Sequence, residues 1–376
     1  MVEPGSFLFV TWEGGGNVPS VLGVARRLAA RGHDVTVLAE PCLRSAVDAL
    51  GGRFVSFTRY FTREDPTTPL LDDYDARNPL AALDRTFAGV MFGPAEVVAD
   101  ETSRVIAARR PDVVVADYLM PGALVAAEAG GVARAVLWHT PEFVPGPGRP
   151  AAGPGFKPLP GPVGRLRDRL LDSLLLRTIA RHVAGYDAVR RRHGLPPVGD
   201  AQGLLGEYHR PDLRLIQTTR AFDFPLDPAP PNVRYVGPLL DDPHWVADGA
   251  HPALHDDGRP LVVVGLSSTF QRQEATLRRA VEALGRLPVR GLATTGPGLA
   301  RRGSGAGGPG PGLDLDPVPA NVTAVESVSH AAMLPRAAAV VTHAGHGTVM
   351  RALAAGAPLV CLPMGRDQNG NAAKVA

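Results

Sequence analysis

Lysine is nearly missing from this chain. Lys157 and Lys374 are the only two in 376 residues, and arginine supplies the rest of the positive charge. With abundant Ala, Gly and Pro, that bias fits a GC-rich coding sequence and carries no mechanistic information. Cysteine is equally scarce. Cys42 and Cys361 lie far apart, each in or beside an apolar run, which argues against a disulfide framework or a zinc site and leaves two reduced thiols. No apolar stretch approaches the roughly 18 residues a membrane helix needs. The N-terminus enters Phe7-Leu8-Phe9-Val10 with neither a basic flank nor a cleavage site. No signal peptide is therefore expected, and a cytoplasmic protein without stable membrane insertion is. The formal net charge is only +2, and no basic stripe with interleaved aromatics accompanies it, which speaks against a nucleic-acid partner.

What is present is enough apolar material for two cores. Hydrophobic residues make up 45% and charged residues 20%, in a chain too long for one ordinary domain. Short β-rich runs alternate with Ala/Leu/Arg segments of helical period, the signature of βαβ units around a parallel sheet. Phe7–Thr11 reads as a strand, Trp12–Asn17 as a glycine turn, Val21–Arg31 as a helix and Asp34–Leu38 as the next strand. Asp112–Ala116, Gly122–Ala129 and Ala133–Leu137 repeat the pattern as strand, helix and strand. Pro145–Val163 reads as a long loop, Gly164–His193 as an arginine-rich helix with a solvated face, and Leu213–Gln217 as the last strand of the first half.

Residues 221–258 are Pro-rich, then polar, with one short strand at Val233–Val236, and are expected to link the domains. The second half restarts with strand Pro260–Leu266 and helix Ala275–Leu287. After a Gly-rich low-complexity loop, Arg301–Gly312, it closes with His330–Ala337, Ala338–Thr342, Thr348–Ala355 and Leu359–Pro363. The expected organisation is an N-terminal Rossmann-like domain over 1–220, a linker over 221–258 and a C-terminal Rossmann-like domain over 259–376. Doubly wound domains bind ligands at the carboxyl ends of their strands.

The strongest chemical signal is Val340-Val341-Thr342-His343-Ala344-Gly345-His346-Gly347-Thr348, a buried strand, a two-glycine turn and a helix start. Backbone N–H groups and a positive helix end at such a turn accept a phosphate. Thr348 adds a hydroxyl and His343 an imidazole. Read alone, the same turn is an ordinary glycine bend with a Thr cap. About twenty residues on, Asp367 and Gln368 follow a neighbouring strand, a carboxylate beside an amide that suits the vicinal hydroxyls of a sugar. Capping of the next helix is the plainer reading of that pair.

Together these two segments resemble the donor signature of the inverting GT-B glycosyltransferases of family GT1, most closely the actinobacterial macrolide-type enzymes that glycosylate natural products. Further matches are Thr11–Pro19, Pro111–Asp117, Tyr235–Pro238 and Leu266–Thr269. The resemblance implies an α/β GT-B fold, with two Rossmann-like domains facing across a cleft. It implies transfer of a hexose or deoxyhexose from a dTDP- or UDP-sugar to a hydroxyl of a hydrophobic acceptor such as a polyketide, macrolide or enediyne, with inversion. The NDP-sugar is a co-substrate and no cofactor is implied. In this frame His343, Gly345, His346, Gly347, Thr348, Ser268 and Thr269 hold the phosphates, Val328 the base, and Asp367 and Gln368 the sugar. Trp12, His139 and Phe143 would contact the acceptor. A helix end with His343 replaces a metal at the leaving diphosphate. Asp73-Tyr74-Asp75 and Asp314-Leu315-Asp316 only imitate a metal-binding DxD, and His251 with His255 lacks a third ligand.

The chain departs from the family where its first-loop histidine base, held by an aspartate, is expected. Asn17 stands there, and an amide is no base at neutral pH. Asp117 matches the aspartate partner and is expected to serve as base. Glu13 and His139 are the alternatives, an acidic acceptor would need less help, and Asn17 would then only orient the acceptor. Ser327 replaces the usual stacking aromatic and Arg351 the usual ribose glutamate, which leaves dTDP against UDP open. The family continues past the position of Ala376, so a C-terminal truncation is expected. The oligomeric state, a homodimer included, is open. Two rival functions remain: a catalytically silent nucleotide-sugar binder or auxiliary protein, and an NAD-dependent oxidoreductase read from Gly14-x-Gly16 and Glu40, against which Pro19 fills the third glycine position.

Overall fold

The computed structural model describes residues 3–242 except 147, 152, 225 and 227, then 246, 256–296, 315 and 317–376. His251, His255, the 301–312 loop, Asp314 and Asp316 lie outside the described residues. The chain forms two compact units, one comprising Leu70–Pro238 with the chain up to Pro66, the other Thr67–Pro69 and Leu239–Ala376.

In the first unit, seven strands form one parallel sheet: β1 (Ser6–Val10), β2 (Asp34–Ala39), β3 (Arg53–Ser56), β4 (Val113–Asp117), β5 (Ala133–Trp138), β6 (Leu213–Ile216) and β7 (Val233–Tyr235). Their spatial order is β3-β2-β1-β4-β5-β6-β7. The short strand at Val233, expected within the linker, pairs instead with β6 through Ile216 and Tyr235, so the first sheet runs past the expected boundary. Alternation along each strand feeds two cores. Leu8 and Val10 pack on one face with Val114, Ala116, Val136 and Trp138. Phe9 packs on the other with Val37, Val115 and Leu137. Burial on both faces is why these strands read as unbroken apolar runs.

The second unit has a five-stranded parallel sheet of β8 (Leu261–Gly265), β9 (Arg290–Thr294), β10 (Val322–Val325), β11 (Ala337–Thr342) and β12 (Leu359–Cys361), ordered β10-β9-β8-β11-β12. Both sheets reverse direction of winding once, between β1 and β4 and between β8 and β11. A crevice opens outside the strand ends at such a switch point, because the following loops diverge to opposite faces.

Helix Gly161–Arg192 is 32 residues long and starts inside the segment expected as loop. Its exposed side is not purely basic, since Val163, Leu166 and Leu170 are 70%, 60% and 58% exposed. Among the described residues no helix is long and apolar enough to cross a membrane.

Candidate functional site

The first cluster lies at the ends of β1, β4 and β5, three neighbouring strands that straddle the switch point. Asp117 is the last residue of β4, and its side chain is wholly buried. Its Oδ2 accepts the Thr11 hydroxyl at 3.1 Å and the Asn17 amide at 2.8 Å. Its Oδ1 accepts the Leu119 N–H at 3.0 Å and lies 3.3 Å from Nε2 of His139, one residue beyond β5. Burial alone raises the pKa of such a carboxyl. The His139 imidazole, the Leu119 N–H and the Asn17 amide more than offset this and hold Asp117 below the ordinary carboxylate value.

This geometry corrects two expectations. Asp117 spends its oxygens on three internal hydrogen bonds and has a depressed proton affinity, so it is a poor base. Asn17 does not orient an acceptor either. It opens helix Asn17–Ala29 and is 3% exposed. Its Nδ2 donates to Asp117 and to the Trp12 carbonyl at 2.8 Å, and its Oδ1 accepts the Gly14 N–H at 3.1 Å. The amide welds the first loop to β4. Trp12 is likewise a core residue, 7% exposed and tilted against Phe61, rather than an open acceptor contact. The His139 side chain is 9% exposed and Phe143 half-buried, and both border an aromatic group in which Tyr118 stacks on Trp138 at 4.5 Å.

Beside this cluster, Glu40 directly follows β2 and is fully buried. It accepts the Glu13 N–H at 3.0 Å and pairs with Arg63 at 2.6 Å. A carboxylate so engaged cannot hold a ribose, which removes the dinucleotide reading. Glu13 is 6% exposed, with Oε1 accepting the Gly15 N–H at 2.6 Å. Burial pushes its pKa up to about 7, opposed by the Gly15 N–H and Arg63 and assisted by Glu40. The folded chain therefore keeps this proton to about pH 7, whereas the unfolded chain releases it near 4.5. The resulting stabilisation is complete below the unfolded value and lost as pH rises to the folded one, on the order of 3 kcal/mol. Glu13→Gln removes the titration. Melting temperatures measured at mildly acidic and mildly alkaline pH should fall less between the two in the variant than in the wild type, and equal falls would remove Glu13 as the cause.

The second cluster lies at the ends of β8, β11 and β12. Gly345 caps helix His346–Ala354 at its N-terminus, and the His343 imidazole covers it. A Cβ on Gly345 would lie 2.5 Å from His343 Nε2. His343 is 9% exposed, and its Nδ1 makes no regular hydrogen bond among the described residues. Burial first, then the Arg366 cation, lower its pKa to about 4, the Gly265 backbone opposing them. The ring is neutral at physiological pH, and Nε2 is its nitrogen nearest Gly345. Among the described residues of this unit, the three positive-φ residues other than glycine sit on these strand-end loops: Arg272 at 53°, Ala344 at 67° and Arg366 at 54°. Strain of this kind collects where a fold is shaped around a ligand.

Other expected donor residues divide. The Ser268 hydroxyl makes no hydrogen bond among the described residues and sits half-buried beside Gly296. Thr269 is occupied, its hydroxyl meeting Ser267 at 3.1 Å and Arg366 at 3.2 Å. Neither backbone group of Val328 is hydrogen-bonded among the described residues, although its side chain is core. His346 is 7% exposed, and Gly347 and Thr348 continue the helix's first turn.

Asp367 keeps one oxygen open, the other accepting Asn371 Nδ2 at 2.7 Å. Gln368 is turned inward and 1% exposed. Its Oε1 accepts the Met364 and Gly365 N–H groups, and its Nε2 donates to Gln271 at 2.8 Å, so it shapes the loop instead of presenting its amide to a sugar. Asn371, which sequence reasoning missed, joins two of the loops by donating to the Ala344 carbonyl at 2.9 Å as well as to Asp367. Its signal was a second buried amide one helical turn after Gln368. Arg351 donates to the backbone carbonyls of Leu240 and Asp241 and ties that segment down. Among the described residues no group of three or more His, Cys, Asp or Glu could hold a metal ion. Asp73–Asp75 forms a short 3₁₀ turn with Asp73 buried.

Residues 310–376 match the family model of the erythromycin biosynthesis protein CIII-like C-terminal domain, and residues 15–201 that of a glycosyl transferase 4-like domain. The chain is 31% identical over 380 residues to the 4'-demethylrebeccamycin synthase of Lentzea aerocolonigenes, covering 98% of this chain and 85% of that protein. It is 28% identical over 378 residues to the demethyllactenocin mycarosyltransferase of Streptomyces fradiae, covering 96% and 71%. Among solved structures, the glycotransferase of kitacinnamycin aligns with a TM-score of 0.68 at 24% identity, over 100% of this chain and 84% of that one. CalG4, the calicheamicin glycosyltransferase, aligns at 0.66 and 22% identity, again over 100% and 84%.

Proposed function

Since the chain belongs to the GT-B-fold glycosyltransferases of the GT1, natural-product type, we propose that it transfers a hexose or deoxyhexose from a dTDP- or UDP-sugar to a hydroxyl of a hydrophobic natural product. The anomeric carbon inverts in a single displacement, without a metal. The second unit holds the donor and the first unit the acceptor.

The observation that carries this reading is the neutral His343 imidazole lying on Gly345 at the N-terminus of helix His346–Ala354. A donor N–H beside a positive helix end is aimed where a diphosphate gains charge as its bond to the sugar breaks, and it does so without ionising. Gly347 and Thr348 extend the backbone and hydroxyl donors, and Ser268 offers an unengaged hydroxyl from the adjoining loop. The open oxygen of Asp367 accepts a sugar hydroxyl, and Val328 presents its backbone to the base. Names of relatives built around rebeccamycin and lactenocin support an antibiotic-type acceptor.

Calorimetric titration with UDP and with dTDP, with and without EDTA, tests the donor half. Micromolar binding that is indifferent to EDTA and about 10²-fold weaker in His343→Ala is expected, since a charge-assisted hydrogen bond of about 1.5–3 kcal/mol is lost. Folded wild-type protein that binds neither nucleotide would sink the proposal. Turnover of any acceptor separates an enzyme from a silent binder.

A further inference from the structure

We propose that His139 is the general base of the transfer and that Asp117 is the positioning residue behind it. This rests on the glycosyltransferase reading above. The acceptor's proton needs a destination, and Asn17 and Asp117 are both saturated by internal hydrogen bonds. Glu13, the remaining acid of the first loop, is buried, bonded to Gly15 and turned toward the Glu40–Arg63 pair at the end of β2.

His139 differs from all three. It stands at the end of β5, next to β4 in the sheet, and its Nε2 is the buried nitrogen, 3.3 Å from Asp117 Oδ1. Its Nδ1 makes no hydrogen bond among the described residues. Tyr118 packs against the ring at 4.7 Å, with Trp138 stacked behind it, which limits the orientations open to the imidazole. An ionised Asp117 facing Nε2 favours the tautomer with its proton on Nε2, and so leaves a lone pair on Nδ1. The relation of imidazole to carboxylate expected at the first loop is thus rebuilt from the next strand along, with the same aspartate as its anchor.

In the step itself, Nδ1 takes the acceptor O–H proton while that oxygen forms its bond to C1 of the sugar. The C1–O bond to the diphosphate breaks, and its electron pair leaves with the nucleoside diphosphate. The imidazolium, stabilised by Asp117, then returns its proton to water. Asp117 stays ionised throughout.

Two measurements test this. In wild-type protein labelled with ¹⁵N-histidine, the His139 signals should show a protonated Nε2 and an unprotonated Nδ1, and Asp117→Asn should disturb that pattern. A proton resident on Nδ1 overturns the proposal without any appeal to activity. In kinetics, His139→Gln should lower kcat about 10²–10⁴-fold with a weakly acidic phenol as acceptor, with nucleotide binding unchanged. It should lose far less with 4-nitrophenol, which is already ionised at mildly alkaline pH, and imidazole should partly rescue His139→Gly. Equal losses with both phenols, or no loss, overturn His139 as base while the glycosyltransferase reading stands. Wild-type protein that binds nucleotide but glycosylates neither phenol nor any hydrophobic alcohol in a panel overturns that reading, and the base with it.

Discussion

Gly345→Ala should leave the second unit folded and lower turnover about 10²–10³-fold, the loss typical of removing one donor to a developing anion. The effect is not a matter of backbone freedom, because Gly345 has φ −61° and ψ 134°, which any residue adopts. What forbids a side chain is the imidazole, since the new methyl would stand 2.5 Å from His343 Nε2 and 2.7 Å from Cε1. The ring must swing away, and with it the donor to the leaving diphosphate. Its neighbour makes the control. Ala344 has φ +67°, where glycine is at ease and alanine is strained. Ala344→Gly relieves roughly 1 kcal/mol of strain and forfeits a buried methyl of similar worth, so stability and nucleotide binding should hardly change. The check is kcat beside the melting temperature for both variants. A Gly345→Ala enzyme with wild-type kcat would show that the His343 position is immaterial to the reaction.

The same pair shows what a sequence conveys about such a site. The alternation of apolar runs and helical segments was enough for two doubly wound domains, because parallel strands buried on both faces leave unbroken stretches such as Val113–Ala116. Strands without that signal were not legible. Arg53–Ser56 and Val322–Val325 are short edge strands, and Arg290–Thr294 opens with a charge and a glycine. Val233–Tyr235 was legible as a short strand but not as part of the first sheet, because only its ladder to β6 shows where it belongs.

The residues of the site were legible as a set, but not the direction each one faces. Asn17 and Gln368 both occupy positions where a polar side chain could meet a ligand, and both turn inward to satisfy loop N–H groups or a buried carboxylate. Nothing in local sequence distinguishes an amide that binds a substrate from one that binds its own loop. That choice is made by partners a hundred residues away, Asp117 for Asn17 and Gln271 for Gln368. His139 was visible for the converse reason: a histidine directly after a buried strand has few structural duties, and the sheet order then puts it beside Asp117.

Asp117→Ala should be the most destabilising single change in the first unit's site, by about 3–5 kcal/mol. The carboxylate is the common acceptor for Thr11, Asn17 and Leu119 at 2.8–3.1 Å, and His139 Nε2 stands 3.3 Å from it. Its removal strands donors that are out of reach of water, and each unsatisfied donor adds its own desolvation cost. Asp117→Asn, the same shape without the charge, should not rescue it. Whichever way the amide is turned, its NH₂ meets donors, either Thr11 and Asn17 on one side or Leu119 on the other. In a unit of this size the loss corresponds to a fall of about 10 °C in the first unit's melting temperature. Because the carboxyl is held below its ordinary pKa, the stabilisation is present at neutral pH and disappears only as pH drops through that depressed value. The gap between wild type and Asp117→Ala should therefore hold from pH 8 to about pH 5 and narrow in stronger acid. Calorimetric melts across that range decide it. A gap that shrinks already between neutrality and pH 5 would mean that another group, not the ionised Asp117, holds these strand ends together.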